Sequence, residues 1–65
     1  MQQKLIKLET VIFTTALSRS HIYALAKQGR FPKPIKLTER SSAWVKAEVQ
    51  EWIEERIAIR DGEAA

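Results

Sequence analysis

The segment from Leu17 to Pro32, LSRSHIYALAKQGRFP, leaves a chain of this kind few ways to fold. Ser18 is a good N-cap, because its hydroxyl can accept from the free N–H groups of the turn that follows. Ile22, Leu25 and Ala26 recur at helical spacing and make one apolar stripe. Arg19, Ser20, His21 and Lys27 are left on the remaining surface, where they can meet phosphates and base edges. Gly29 suits the left-handed residue that closes a helix, and Pro32 bars any continuation. The spacing therefore predicts a helix near 18–28 that presents Arg, Ser and His at its first turn. That is the geometry of a helix-turn-helix reader of the major groove.

The flanking segments supply the rest of such a domain. Lys4 to Leu8 alternates and reads as a short extended lead-in. Leu8, Val11 and Ile12 share one face and predict a helix over 8–15, although its β-branched residues make it depend on packing rather than propensity. Ala16-Leu17-Ser18 is then the turn, with Leu17 plugging the angle between the helices. Phe31-Pro32-Lys33-Pro34 is rigid and extended, since each Pro disfavours helix in the residue before it. Ile35-Lys36-Leu37 alternates, Thr38 to Ser41 is a polar turn, and Ser42-Ala43-Trp44 returns, giving a two-stranded hairpin over 35–44. Such a hairpin is marginal alone, so Ile35, Leu37 and Trp44 are expected to lie on the helices. Val45, Val49, Trp52, Ile53 and Ile57 form the stripe of a last helix over 46–59. The chain thus reads as a single domain over 1–65, ordered from about 4 to 60, with 61–65 as a frayed tail. Its class is mainly α with a small β-hairpin: a winged helix-turn-helix of three helices and a two-stranded wing.

Composition narrows the class of function. The net charge of +3 over 65 residues hides an asymmetry. In residues 1–46 nine Lys and Arg stand against Glu9 and Glu39, a net +7; in 47–65 Arg56 and Arg60 stand against six acids, a net −4, and the two together recover +3. A basic lobe beside an acidic one fits a polyanion-binding face with a solvated back. There is no cysteine and a single histidine, His21, so neither a disulfide nor a zinc site can be assembled, and no cofactor is expected. No Gly-rich phosphate loop is present, and the paired acids sit on an exposed helix without the burial that tunes a catalytic carboxylate, so an enzyme is not expected. No apolar run approaches the ~20 residues that span a bilayer, and no secretory leader opens the chain. A soluble cytoplasmic protein is the expectation.

Arg19, Ser20 and His21 are the residues expected at base edges, bidentate Arg to guanine being the commonest specific contact. Ser18, Tyr23, Lys27, Arg30, Lys33, Lys36 and Arg40 are expected at phosphates. Some have structural alternatives: Ser20 as a helper of the cap, Tyr23 as packing under the wing, the basic side chains as solvated surface. Trp44 and Trp52 are expected in the core. The acids of the last helix are either a solvent face or a partner surface.

In order, Leu5-Ile6-Lys7-Leu8, Leu17-Ser18-Arg19-Ser20-His21-Ile22-Tyr23, Gly29-Arg30-Phe31-Pro32-Lys33-Pro34-Ile35-Lys36-Leu37, Arg40, Trp44 and Glu48-Val49-Gln50-Glu51-Trp52-Ile53 resemble the AlpA family. These are small phage- and prophage-associated transcriptional regulators, related to excisionases and to the DNA-binding head of MerR-type proteins. The resemblance covers residues 4 to about 57. It implies a winged helix-turn-helix, double-stranded DNA as partner, and activation of an integrase gene, or instead a direct role in excision. The chain departs from the family pattern at Ala16, where the family usually has Gly, and at Thr38-Glu39, which replaces a Gly-rich wing tip. Ala16 would be strained if that position must be left-handed. A reader of this size gains occupancy through a second protein, polymerase or integrase, or by head-to-tail contact between copies on DNA. The reading from another class is a protein-interaction module, an anti-repressor that uses the acidic helix.

Overall fold

The computed structural model describes residues 3–64. In chain order they form β1 (Leu5–Ile6), α1 (Leu8–Thr15), α2 (Arg19–Lys27), β2 (Ile35–Thr38), β3 (Ser41–Val45) and α3 (Lys46–Ala64). This is the winged helix-turn-helix expected from the sequence, with one addition. The extended lead-in is a third strand, so the hairpin becomes an antiparallel sheet in the order β1-β3-β2. Leu5 pairs with Val45 and Ile6 with Trp44, and the Lys46 N–H donates to the Lys4 carbonyl at 2.8 Å. Both edges of β3 are thereby satisfied, which a two-stranded hairpin cannot achieve.

Two helix ends follow the sequence logic closely. Ser18, in an extended conformation, accepts from the His21 N–H at 3.2 Å and starts α2. At the other end Gly29 has φ 75°. Its N–H donates to Ala26 at 3.1 Å, and the Arg30 N–H reaches back to Leu25 at 2.8 Å, which together make a Schellman closure. The α1–α2 turn is tied by Thr15, which sequence reasoning passed over. Its hydroxyl donates to the Val11 carbonyl at 2.8 Å and accepts from the Leu17 N–H at 3.2 Å. Ala16 is left-handed, at φ 63° and ψ 14°, so the strain anticipated there is present.

The core is small. Val11 from α1, Ile22 and Ala26 from α2, Phe31 from the connector, Trp44 from β3 and Val49 from α3 are buried together. Ile6, Leu8, Ile12, Leu17, Leu25, Trp52 and Ile53 pack around them, half-buried. Trp44 is wholly enclosed, and its indole N–H donates to the Pro32 carbonyl at 2.9 Å.

Three expectations are corrected. Ile35 and Leu37 do not lie on the helices; they remain 42% and 51% exposed. The helices pack on β3, leaving β2 as an edge strand. The register slips between Lys36 and Thr38, a bulge that adds twist where the Glu39-Arg40 turn has no left-handed residue to supply it. Ile57 is not a core residue, being 44% exposed, because the short α1 ends before it can cover the second half of α3. Finally, α3 continues through Asp61 and Gly62 to Ala64 in place of a frayed tail; Ala65 lies outside the described residues. One interior Gly costs a helix only about 1 kcal/mol, and no Pro follows to stop it. Among the described residues no helix is long and apolar enough to cross a membrane.

Two substitutions test this account by urea denaturation. Ala16→Gly removes the left-handed strain while losing no buried side chain, and should stabilise the fold by about 0.5–1 kcal/mol after the extra chain entropy is counted. Trp44→Phe leaves the Pro32 carbonyl without its donor and opens a void, so it should cost about 2–3 kcal/mol, followed by the fluorescence of the remaining Trp52.

Candidate nucleic-acid interface

The helix α2 turns Ile22 and Ala26 into the core, with Leu25 half-buried beside them. What remains outward carries no carboxylate. Helical spacing sorts the outward residues into rows. Arg19, Tyr23 and Lys27, four residues apart, run along one flank. Ser20 and Ala24 form the crest. His21 and Gln28 lie on the far flank. All of these side chains are exposed. The three residues expected at base edges therefore share the first turn but fan around it: Arg19 on one side, Ser20 in the middle, His21 on the other. Ala24, which composition gave no reason to single out, keeps the crest low. Ser18 spends its hydroxyl on the cap, and the N–H groups of Arg19 and Ser20 fall outside the intrahelical ladder.

The wing stands beside the Arg19-Tyr23-Lys27 flank. The Tyr23 ring meets Trp44 edge-on, with centroids 5.9 Å apart and planes at 60°. Tyr23 is still 45% exposed, so it packs on the wing while part of its surface stays open to solvent. A shallow cleft joins α2, the start of α1 and the wing, lined by Lys7, Leu8, Glu9, Tyr23, Arg40, Ser41, Ser42 and Trp44. It brings Tyr23 and Arg40 together although they are far apart in sequence. It also adds Lys7, Ser41 and Ser42, which were not singled out, because only folding places them against α2. Lys36 is cross-strand partner to Ser42, and directly opposed residues share a sheet face, so Lys36 belongs to the same side. Lys33 is exposed in the Pro-flanked connector.

Arg30 is set apart from this group. It lines a different groove, between the connector and α3, beside Glu48, Glu51 and Glu55. Its carbonyl accepts from the Trp52 indole N–H at 2.8 Å, while Trp52 packs edge-on against Phe31 with centroids 4.9 Å apart. The molecule thus has a basic, hydroxyl-bearing side made of α2 and the wing and an acidic side along α3. Two carboxylates remain on the basic side: Glu9 at the cleft and Glu39 at the wing tip. Among the described residues, no three His, Cys, Asp or Glu side chains converge as a metal site would require.

Known proteins are similar to this chain in sequence. The family model for the prophage CP4-57 regulatory protein AlpA matches residues 4–57. ORF88, an uncharacterized protein of Enterobacteria phage P4, is 37% identical over 59 residues, covering 91% of this chain and 67% of that protein. The matched stretch takes in β1, the helix pair, the wing and α3 as far as Ile57, and the chain belongs to the AlpA family of prophage regulatory proteins.

Proposed function

We propose that this protein is a sequence-specific binder of double-stranded DNA that regulates transcription in the cytoplasm, acting on an integrase or excision gene. The observation that carries the reading is the exposed, carboxylate-free face of α2 beside the basic face of the wing. In this reading α2 enters the major groove. Arg19 and Ser20 meet base edges, and His21 reaches the far side of the same step. Lys27, Lys33, Lys36, Arg40 and the Tyr23 hydroxyl hold phosphates on either side, with Lys7 joining them across the cleft. The backbone contacts set register, and the first turn of α2 reads sequence. The protein acts as a binder and not as a catalyst. A module of this size covers on the order of 600–1,000 Å² of its own surface on DNA, so its specific affinity alone is modest.

Electrophoretic titration on specific and random duplexes separates these roles. Arg19→Ala should cost about 1–3 kcal/mol on the specific site and narrow the gap to random DNA. Lys36→Ala should weaken both duplexes alike and lower the salt slope by about 1, while Arg30→Ala, facing the glutamates of α3, should leave the slope unchanged. Equal losses on both duplexes for Arg19→Ala would overturn the assignment.

Excision in place of transcriptional control is separated by DNase I footprinting on the integrase promoter and the attachment region. Protection at the promoter with a change in its transcription is the expected result. Protection confined to the attachment region, with transcription unchanged, would identify a DNA-shaping excision factor instead.

A further inference from the structure

The outward face of α2 is rich in hydrogen-bond donors and poor in acceptors. Arg19 brings a fork of guanidinium N–H groups, His21 an imidazole N–H and Lys27 an ammonium, and all three are exposed. The helix holds no Asp, Glu or Asn. The nearest amide, Gln28, is the C-cap, about 13.5 Å along the axis from Arg19. Glu9 and Glu39 belong to α1 and the wing tip and not to this face.

The four bases answer such a face differently. In the major groove guanine shows two acceptors side by side, N7 and O6. Adenine pairs an acceptor with a donor, cytosine shows a donor, and thymine shows an acceptor beside its methyl group. A guanidinium, which only donates, is fully used on guanine alone, and the imidazole N–H also finds its best acceptors there. On the crest, the Ser20 hydroxyl donates and accepts alike and so discriminates little. Ala24 stands one turn beyond Ser20, exposed, and a side-chain methyl is a partner for the thymine methyl. Position round the helix sets the order of the bases. At 3.6 residues per turn His21 lies about 200° round from Arg19, so the two donors occupy opposite flanks with the crest between them. When the crest points into the groove, the flanks face the two strands.

Granting the proposed entry of α2 into the major groove, on which this rests, we infer that the duplex it reads carries a guanine on each strand, one under Arg19 and one under His21. Between them lies an A·T pair whose thymine methyl meets Ala24.

Selection from a randomised duplex pool by the full chain tests the assignment, with Arg19→Ala, His21→Ala and Ala24→Gly run beside the wild type. Circular dichroism checks that each variant keeps α2, and Ala24→Ser replaces Ala24→Gly if glycine loosens the helix. Arg19→Ala should lose the guanine preference at one position, His21→Ala at the other, and the Ala24 variant should lose only the thymine. On the selected duplex, 7-deazaguanine under Arg19 removes the N7 acceptor and should weaken the wild type about fivefold. Uracil in place of the thymine removes one methyl and should cost about fourfold, a loss that Ala24→Gly does not show. Cytosine or adenine at the position that Arg19→Ala releases would overturn the inference and leave sequence-specific binding standing. So would two guanines on one strand, or a wild type indifferent to uracil. A pool that stays random although the chain binds duplex would overturn the sequence-specific reading itself, and this inference with it.

Discussion

The two indole N–H groups that hold the connector between α2 and the wing set the geometry of the whole molecule. Trp44 donates to the Pro32 carbonyl and Trp52 to the Arg30 carbonyl, at 2.9 and 2.8 Å. The connector between them is a stretch whose backbone has no ladder to satisfy it, and a part-buried carbonyl such as that of Pro32 is costly to leave without a donor. Each indole supplies such a donor together with a large apolar surface. Phe31, held between them, is buried against the core. The consequence reaches the binding surface, because the angle of the wing to α2 is fixed through this connector and through the contact of Trp44 with Tyr23. A domain of 65 residues with no disulfide has little else to spend on rigidity.

The α1–α2 turn shows the opposite economy. Ala16 occupies a left-handed conformation that Gly would take more easily, and the structure over-determines it. Thr15 bonds to Val11 and Leu17 on either side, and the Ala16 N–H donates to Ile12 at 2.9 Å. Leu17 packs on the core and Ser18 begins the next helix. The strain, on the order of 1 kcal/mol, is held by these neighbours, and it fixes the direction in which the first turn of α2 points. Local strain and the aim of Arg19, Ser20 and His21 are thus coupled through three residues.

Separation of charge gives the molecule two sides with different chemistry. The acids of α3 do not neutralise the basic lobe at close range: the one ion pair found among the described residues is Arg60–Asp61, within α3 itself. Glu48, Glu51 and Glu55 line a separate groove between the connector and α3, together with Arg30 and Arg56. The basic side keeps its field, which in our reading serves approach to the duplex. The second half of α3 runs on without a covering element, with Ile57 and Ile59 exposed at 44% and 45%.

Much of this was legible from residues alone. Ser18 and Gly29 mark the ends of α2 because capping is local chemistry. The stripes of α1, α2 and the first half of α3 show their buried faces because helical periodicity is local too. The turn at Ala16 and the hairpin were readable for the same reason, and residues 4–57 carried enough of a pattern to be matched to a family. What lay beyond the sequence were the choices between distant partners. Leu5-Ile6 pairs with β3 only because β3 has a free edge where α1 begins. Ile35, Leu37 and Ile57 have the alternation or spacing of core residues and are exposed, because no element is left to cover them in so small a domain. Tyr23 and Arg40 line one cleft, and Arg30 lines another, through the path of a connector that two tryptophans hold. By itself the sequence determined where each element starts, ends and hides its apolar face, since those depend on neighbours a few residues apart. Which faces found a partner, and which charged groups came to share a surface, was decided by the tertiary structure, because burial and electrostatic grouping depend on contacts that form only when distant segments meet.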